Sequence, residues 1–280
     1  MRGMIVETAR AKVNLGLAVT GRRPDGYHAL HTIFATLDLA DRVVLAKRER
    51  GISLSVSGPY PLPTGRENLA YRAAEAYLAA AGGAGGVEIW LEKAVPPGAG
   101  LGGGSADAAA VLRGLARLYP APVDLAALAR KLGADVPFLL KGGLAEARGV
   151  GEEIHLLGPL TAHLVLVKPP LMAPTARVYA ALRPEDFGPA LDVAAILAAL
   201  KAGHPPPWRN DLEKAAFRLF PELAELKRRL TERGHAALMS GSGSAFLIPV
   251  KGRDEGEMLA EALRKRFPGH WVRPATLEGG

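Results

Sequence analysis

Pro96-Pro97-Gly98-Ala99-Gly100-Leu101-Gly102-Gly103-Gly104-Ser105 joins a β-favouring run, Val87 to Glu92, to an alanine-rich helical run, Ser105 to Leu118. Glycine lacks a Cβ, so its backbone takes positive φ and approaches a ligand closely. The first amides of the following helix have no partners within it, and the helix dipole adds partial positive charge there. A glycine run that opens into a helix is therefore a phosphate cradle. Ser105 stands where it would either cap the helix or offer a hydroxyl to a phosphate or to Mg²⁺. No lysine follows the glycines, so the ATPase P-loop pattern fails. Gly98, Gly100 and Gly103 satisfy the dinucleotide spacing G-x-G-x-x-G. The acid expected about 20 residues on is Asp124, which follows Pro122 and reads as a helix N-cap. The two prolines before the loop also spoil a tight strand-to-helix turn. A flexible structural loop is the bland alternative.

Outward from the loop, the first sixty residues read as short strands separated by turn signals: Val6 to Val19, Ile33 to Leu39, Val43 to Lys47 and Ile52 to Val56. Arg22 to His28, with its Pro and Asp-Gly, reads as a loop. Helical spacing runs from Glu67 to Ala81 and from Asp124 to Leu132. Further strands are expected at Leu144 to Ala147 and Glu153 to Leu157. After Gly158-Pro159 come the strand His163 to Lys168 and helices near Thr175 to Leu182, Val193 to Lys201, Asp211 to Leu219 and Leu223 to Arg233. The strand Ala236 to Met239, the loop Ser240 to Ser244, the strand Ala245 to Val250, the helix Glu255 to Arg266 and a strand near Trp271 close the chain. This order predicts an α+β fold in two lobes, 1–158 and 159–280.

Composition narrows the function. A net charge of +7 over 280 residues suits nucleic acid, anionic lipid or a polyanionic small molecule. The basic residues are dispersed, with short runs such as Lys47-Arg48 and Lys227-Arg228-Arg229 and no interleaved aromatics, so an RNA-binding protein is the secondary reading. Cysteine is absent, which removes disulfides, thiolate nucleophiles and cysteine metal sites and fits a reducing compartment. No apolar stretch approaches the roughly 18 residues of a membrane span. Met1 to Glu7 has no apolar h-region and carries an early acid, so no signal peptide is expected and the reading is cytoplasmic. Glutamine is absent and asparagine occurs at Asn14, Asn68 and Asn210, a pattern of heat-adapted chains that biased genome composition also produces.

Pro97 to Ala109 resembles the second motif of the GHMP kinase superfamily, the galactose, homoserine, mevalonate and phosphomevalonate kinases. Ala11-Lys12-Val13-Asn14-Leu15-Gly16-Leu17 is similar to its first motif and Ser240-Gly241-Ser242-Gly243-Ser244-Ala245 to its third. The three motifs occur in the right order, spread across almost the whole chain. Arg23 to Phe34 and Gly133 to Phe138 resemble a narrower branch, whose substrate is a cytidylated small alcohol. The resemblance implies a two-lobed kinase fold with ATP and substrate in an interlobe cleft, Mg²⁺ on the phosphates, and small-molecule partners in place of nucleic acid or membrane. Nothing in the sequence sets an oligomeric state.

The resemblance also implies roles. Asp135 would be the catalytic base; by spacing alone it is equally an N-cap before Pro137. Lys12 would face the reacting groups beside it, although a lysine in a strand commonly points to solvent. Asn14 shares the parity of Lys12, so both lie on one face of the strand. Pro96 to Ser105 and Ala106 would hold ATP, bordered by Asn68 and Lys93. Tyr27 offers a ring to stack on a pyrimidine and His28 an imidazole for its edge, and the branch implies that they grip cytosine; a solvent-facing loop pair is the alternative. His31 reads as a structural strand residue. Thr175 and Tyr179, one helical turn apart, and Gly241 complete the implied substrate wall, while Asn210 or Asp211 reads as a helix cap. Many superfamily members carry two adjacent serines after the glycines. Here Ala106 follows Ser105, so Ser105 or water would hold the metal.

Overall fold

The computed structural model describes residues 3–83 and 85–278. Met1 and Arg2 of the stretch read for a leader lie outside them. The chain forms two compact units that interleave in sequence: Met1–Ala11, Leu39–Pro97 and Gly102–Gly142 make the first, and Lys12–Asp38, Gly98–Leu101 and Gly143–Gly280 the second. Two long strands, β1 (Met4–Arg22) and β2 (His28–Arg48), run through both.

In the first unit, the C-terminal part of β2 pairs antiparallel with β4 (Gly86–Glu92), which pairs parallel with β3 (Ile52–Ser57). Four helices accompany this sheet: α1 (Leu69–Ala80), α2 (Gly103–Leu118), α3 (Leu125–Leu132) and α4 (Val136–Lys141). Asn68 caps α1 by accepting from the Ala70 amide, and Asp124 caps α3 by accepting from Ala127, as its position after Pro122 predicted. Helix α2 presents Ala106, Ala108, Ala109 and Ala110 as buried residues. Small side chains let it approach β1 and β2 closely; a Cβ at Gly114 would overlap Leu45 and lie 3.2 Å from Glu7 Cγ.

The runs Ile33 to Leu39 and Val43 to Lys47, expected as separate strands, are one strand. Asp41, between them, is buried and bonded by the Lys93 ammonium and the Ala94 and Val95 amides just past the end of β4, so it does not break the strand. Helix α4 is an addition to the sequence reading, started by Pro137 in its first turn.

In the second unit, Thr32 to Ala35 of β2 pair antiparallel with β5 (Leu144–Arg148), which pairs with β6 (Glu153–Leu156). A second, fully antiparallel sheet has the order β10-β7-β9-β8, from β7 (His163–Lys168), β8 (Leu238–Met239), β9 (Phe246–Val250) and β10 (Trp271–Thr276). Its helices are α5 (Thr175–Ala180), α6 (Val193–Lys201), α7 (Leu212–Leu219), α8 (Pro221–Thr231) and α9 (Arg253–Arg266), with a 3₁₀ turn at Pro184–Asp186. Leu164 to Val167 are all buried, so β7 is covered on both faces and its apolar run shows no alternation. Val165, Val167 and Phe246 meet Leu212, Leu223, Leu226 and Leu230 in the core. Among the described residues no helix is long and apolar enough to cross a membrane.

Phe246 is fully buried and stacks on Phe217 with ring centroids 6.4 Å apart. We expect Phe246→Ala to cost ~3–5 kcal/mol, read as a lower melting temperature; an unchanged melting curve would contradict this core.

Candidate active site

The middle of the glycine loop belongs to the second unit. There Ala99 O accepts from the Ala245 amide at 3.0 Å, Gly100 O accepts from Ser240 Oγ at 3.0 Å, and Leu101 O accepts from the Lys12 amide at 2.9 Å. Gly100 has φ +75°, and a Cβ on it would overlap the Ser240 carbonyl oxygen. No other residue type fits there. The first and third motifs of the sequence are thus both fastened to the second.

Lys12 and Asn14 are buried and share one face of β1, as their parity predicted. Lys12 Nζ donates to Asn14 Oδ1 at 2.8 Å and lies 5.2 Å from the centre of the Phe34 ring. Asn14 Nδ2 donates to Thr32 Oγ1 at 2.8 Å, and Thr32 Oγ1 donates in turn to Gly16 O at 2.6 Å. The Asn14 amide oxygen is thereby aimed at the ammonium. Gly241 adjoins both: a Cβ there would stand 3.2 Å from Asn14 Oδ1 and 3.6 Å from Lys12 Nζ. Asn210 holds the same loop by donating to the carbonyls of Met239 and Gly241 at 2.8 and 2.7 Å. It also accepts from the Leu212 amide at the start of α7, whereas Asp211, the N-cap residue, makes no side-chain cap bond and instead accepts from the Val19 amide.

Gly98, Gly100 and Gly102 take positive φ of 62°, 75° and 67°. Left-handed residues at alternate positions curl a chain into the amide-lined concavity that holds anions. In the first unit, the first bond within α2 runs from the Ala106 amide to Gly102 O, which leaves the amides of Gly103, Gly104 and Ser105 outside the helical pattern. Gly102 is the N-cap residue and Ser105 makes no cap, so its hydroxyl is not engaged in closing the helix. Pro96 and Pro97 lead into this turn, with Pro96 buried.

The two residues placed beside ATP by resemblance have other bonds. Asn68 donates to Pro63 O as well as capping α1. Lys93 is 3% exposed, and its ammonium lies between the carboxylates of Asp41 and Asp107, 2.7 Å from Asp107 Oδ2. Burial alone would lower the Lys93 pKa, but Asp107 and Asp41 hold it above its ordinary value. Burial, offset only in part by Lys93, pushes the Asp107 carboxyl up to about 8. Sequence reading missed Asp41 and Asp107, whose signal was two acids in otherwise apolar runs.

Asp135 directly precedes α4 and makes no side-chain cap bond, so the capping alternative is not realised. It is half-buried.

The Arg22–His28 turn closes through Arg23 N to Tyr27 O at 2.8 Å, and Tyr27 is 66% exposed. His28 lies 5.8 Å from the Tyr179 ring and 5.8 Å from Phe187, edge to face. Burial, then Arg22, lowers the His28 pKa, which keeps its imidazole neutral at pH 7. Thr175 Oγ1 meets Ser242 Oγ at 2.9 Å, so Thr175 and Tyr179 extend from one short helix to different parts of the unit. Phe187 was missed; it follows a 3₁₀ turn and carries no motif. His31 is structural, as expected: its Nδ1 accepts from the Leu191 amide and its Nε2 faces Glu146 Oε1, both at 2.9 Å.

Phe187 is held in place by its neighbour. Asp186 is 1% exposed, accepts from the Arg183 amide at 2.9 Å and pairs with both terminal nitrogens of Arg218. The Arg218 hydrogen bonds depress the Asp186 pKa below its ordinary value of 3.8. A depressed carboxyl stabilises the fold above its unfolded pKa, and that stability is lost as pH falls through the folded one. We expect Asp186→Asn to cost ~2 kcal/mol at pH 7, with the gap to wild type closing in melts taken progressively below pH 3.8. A gap that stayed constant with pH would refute the pairing.

Residues 68–143 match the model of the GHMP kinases N terminal domain and residues 189–269 that of the GHMP kinases C terminal domain. A Thermus thermophilus protein named 4-diphosphocytidyl-2-C-methyl-D-erythritol kinase is 57% identical over 275 residues, covering 97% of this chain and 96% of its own. A crystal structure of 4-(cytidine 5'-diphospho)-2C-methyl-D-erythritol kinase superposes with a TM-score of 0.88 at 56% identity, over 99% of this chain and 100% of that one. Homoserine kinase from Cytophaga hutchinsonii shares the fold at 19% identity, with a TM-score of 0.72 over 100% of this chain and 96% of its own. With both domain models matched and identity sustained along the chain, this protein belongs to the GHMP kinases.

Proposed function

We propose that the chain transfers the γ-phosphoryl group of ATP to the 2-hydroxyl of 4-diphosphocytidyl-2-C-methyl-D-erythritol, in the non-mevalonate route to isoprenoid precursors. The observation that carries the reading is the 57% identity, sustained over 97% of the chain, to a kinase of that name. A GHMP kinase uses ATP, and the alternating glycines with the open amides of α2 suit its phosphates.

In the proposed reaction the acceptor hydroxyl attacks in line. The new O–P bond forms as the bond to ADP breaks, and Asp135 takes the hydroxyl proton. Lys12, aimed by Asn14, lends positive charge to the oxygens that gain charge in the transition state. Tyr27, His28, Tyr179 and Phe187 supply an aromatic wall for cytosine, with the neutral imidazole free to accept from its amino group. Thr175 and Gly241 complete the substrate wall. Among the described residues no cluster of three or more His, Asp or Glu is suited to a metal. Mg²⁺ would thus be carried by the ATP phosphates with the Ser105 hydroxyl, where it would neutralise phosphate charge. The basic surface speeds capture of two polyanions. The partners are small molecules, neither nucleic acid nor membrane, and we place the reaction in the cytoplasm, where ATP is abundant.

An ADP-release assay across 4-diphosphocytidyl-2-C-methyl-D-erythritol, mevalonate and homoserine tests the substrate. Turnover of either of the latter two without the cytidylated compound would overturn it. Asp135→Asn is expected to lower kcat by about 10²–10⁴ with the KM for ATP little changed; near-normal kcat would remove Asp135 as the base. Gly100→Ala should raise the KM for ATP by more than about tenfold, because a side chain at positive φ against Ser240 costs upward of ~1–3 kcal/mol.

A further inference from the structure

We propose that Asp41 is a positioning residue for the glycine loop: buried in β2, it ties the strand that leads into the loop to the helix that leaves it, and so sets the loop's grip on ATP. The inference rests on the kinase reading above and concerns a residue remote in sequence from all three motifs.

The geometry is a chain of bonds around a single carboxylate. Asp41 Oδ1 accepts from the amides of Ala94 and Val95 at 2.6 and 2.8 Å, fixing the backbone just before Pro96. Asp41 Oδ2 takes the Lys93 ammonium, which continues to Asp107 Oδ2 in the second turn of α2. Val95 and Lys93 lie directly beneath the first residue of that helix: a Cβ on Gly103 would stand 3.0 Å from Val95 Cγ1 and 3.5 Å from Lys93 Nζ. Both ends of the loop are thus referred to Asp41, which is 1% exposed.

Stability alone gives a poor account of this cluster. Two carboxyl groups face one ammonium out of contact with water, burial holding that of Asp107 up to about 8, and Asp107 Oδ1 is buried with no partner among the described residues. Desolvating such charges costs several kcal/mol, and apolar replacements of similar volume are often neutral or stabilising. Ionic hydrogen bonds supply direction, which apolar contacts do not. They hold residues 93–95 in one register against α2, and the amides that cradle phosphate begin there.

The test is calorimetric titration of wild type and Asp41→Asn with ATP and, separately, with 4-diphosphocytidyl-2-C-methyl-D-erythritol. Asparagine keeps the shape and an acceptor for the Ala94 and Val95 amides but turns an NH₂ toward Lys93. We expect the Kd for ATP to rise about tenfold, the size of a lost charge-assisted bond, and the Kd for the cytidylated compound to stay within about twofold. Phe246→Ala, destabilised elsewhere, should lower the melting temperature without moving the Kd for ATP. If Asp41→Asn does not fold, Asp107→Asn, which leaves Lys93 paired with Asp41, should raise the Kd for ATP by about threefold. An unchanged Kd for ATP in a folded variant, or equal losses for both ligands, would overturn the proposal. Wild type that bound ATP but left the cytidylated compound unphosphorylated would overturn the substrate reading alone; wild type that bound no ATP would overturn both.

Discussion

At Gly100 the backbone passes so close to the Ser240 carbonyl that a single methyl group has no room. Much else follows from that approach. It lets Ser240 Oγ reach Gly100 O, brings the Ala245 amide to Ala99 O, and leaves Leu101 O facing the Lys12 amide. Three stretches spread over more than two hundred residues of chain are thereby held by backbone and short polar groups, whose geometry is far stiffer than that of long side chains. Within the second unit, Lys12, residues 240–245 and residues 98–101 inherit their mutual placement from it.

Two buried polar networks refine that placement in different ways. Lys12, Asn14, Thr32 and Gly16 form a relay in which Asn14 Oδ1 accepts from Lys12 and Asn14 Nδ2 donates to Thr32, so the amide of Asn14 has a single sensible orientation. The Asp41, Lys93 and Asp107 cluster is less balanced, with two carboxyl groups on one ammonium and an oxygen that has no partner among the described residues. Buried polar groups commonly contribute to uniqueness of structure more than to stability. Here the first network aims a charge and the second holds a turn.

The aromatic cluster of the second unit is built on other terms. His28 is set between Tyr179 and Phe187, and Phe187 is fixed through the Arg218 pairing of its neighbour Asp186. Tyr27 stays exposed at a turn closed by its own backbone. An aromatic surface with a neutral imidazole suits a flat heterocycle, whereas the phosphate loop, lined by amides, suits anions of any attachment. The two surfaces are built from separate pieces of the chain.

Several features were legible without coordinates because they depend on neighbours along the chain. Alternating glycines before a helix require open backbone geometry wherever they occur, Lys12 and Asn14 share a face by strand parity, and Asp124 caps the helix it precedes. Apolar periodicity placed most helices to within two or three residues. What the tertiary structure alone decided concerns charges and rings distant in sequence. The acid at 41 could not be told from a turn residue until burial joined it to Lys93, 52 residues on. By position Asp135 also reads as a cap, and only the coordinates show that its side chain makes no cap bond, while Phe187 had no local signal for its place beside His28. Local backbone preference is set by a residue and its immediate neighbours, while the partner of a buried charge or ring is set by which distant segments the core brings together.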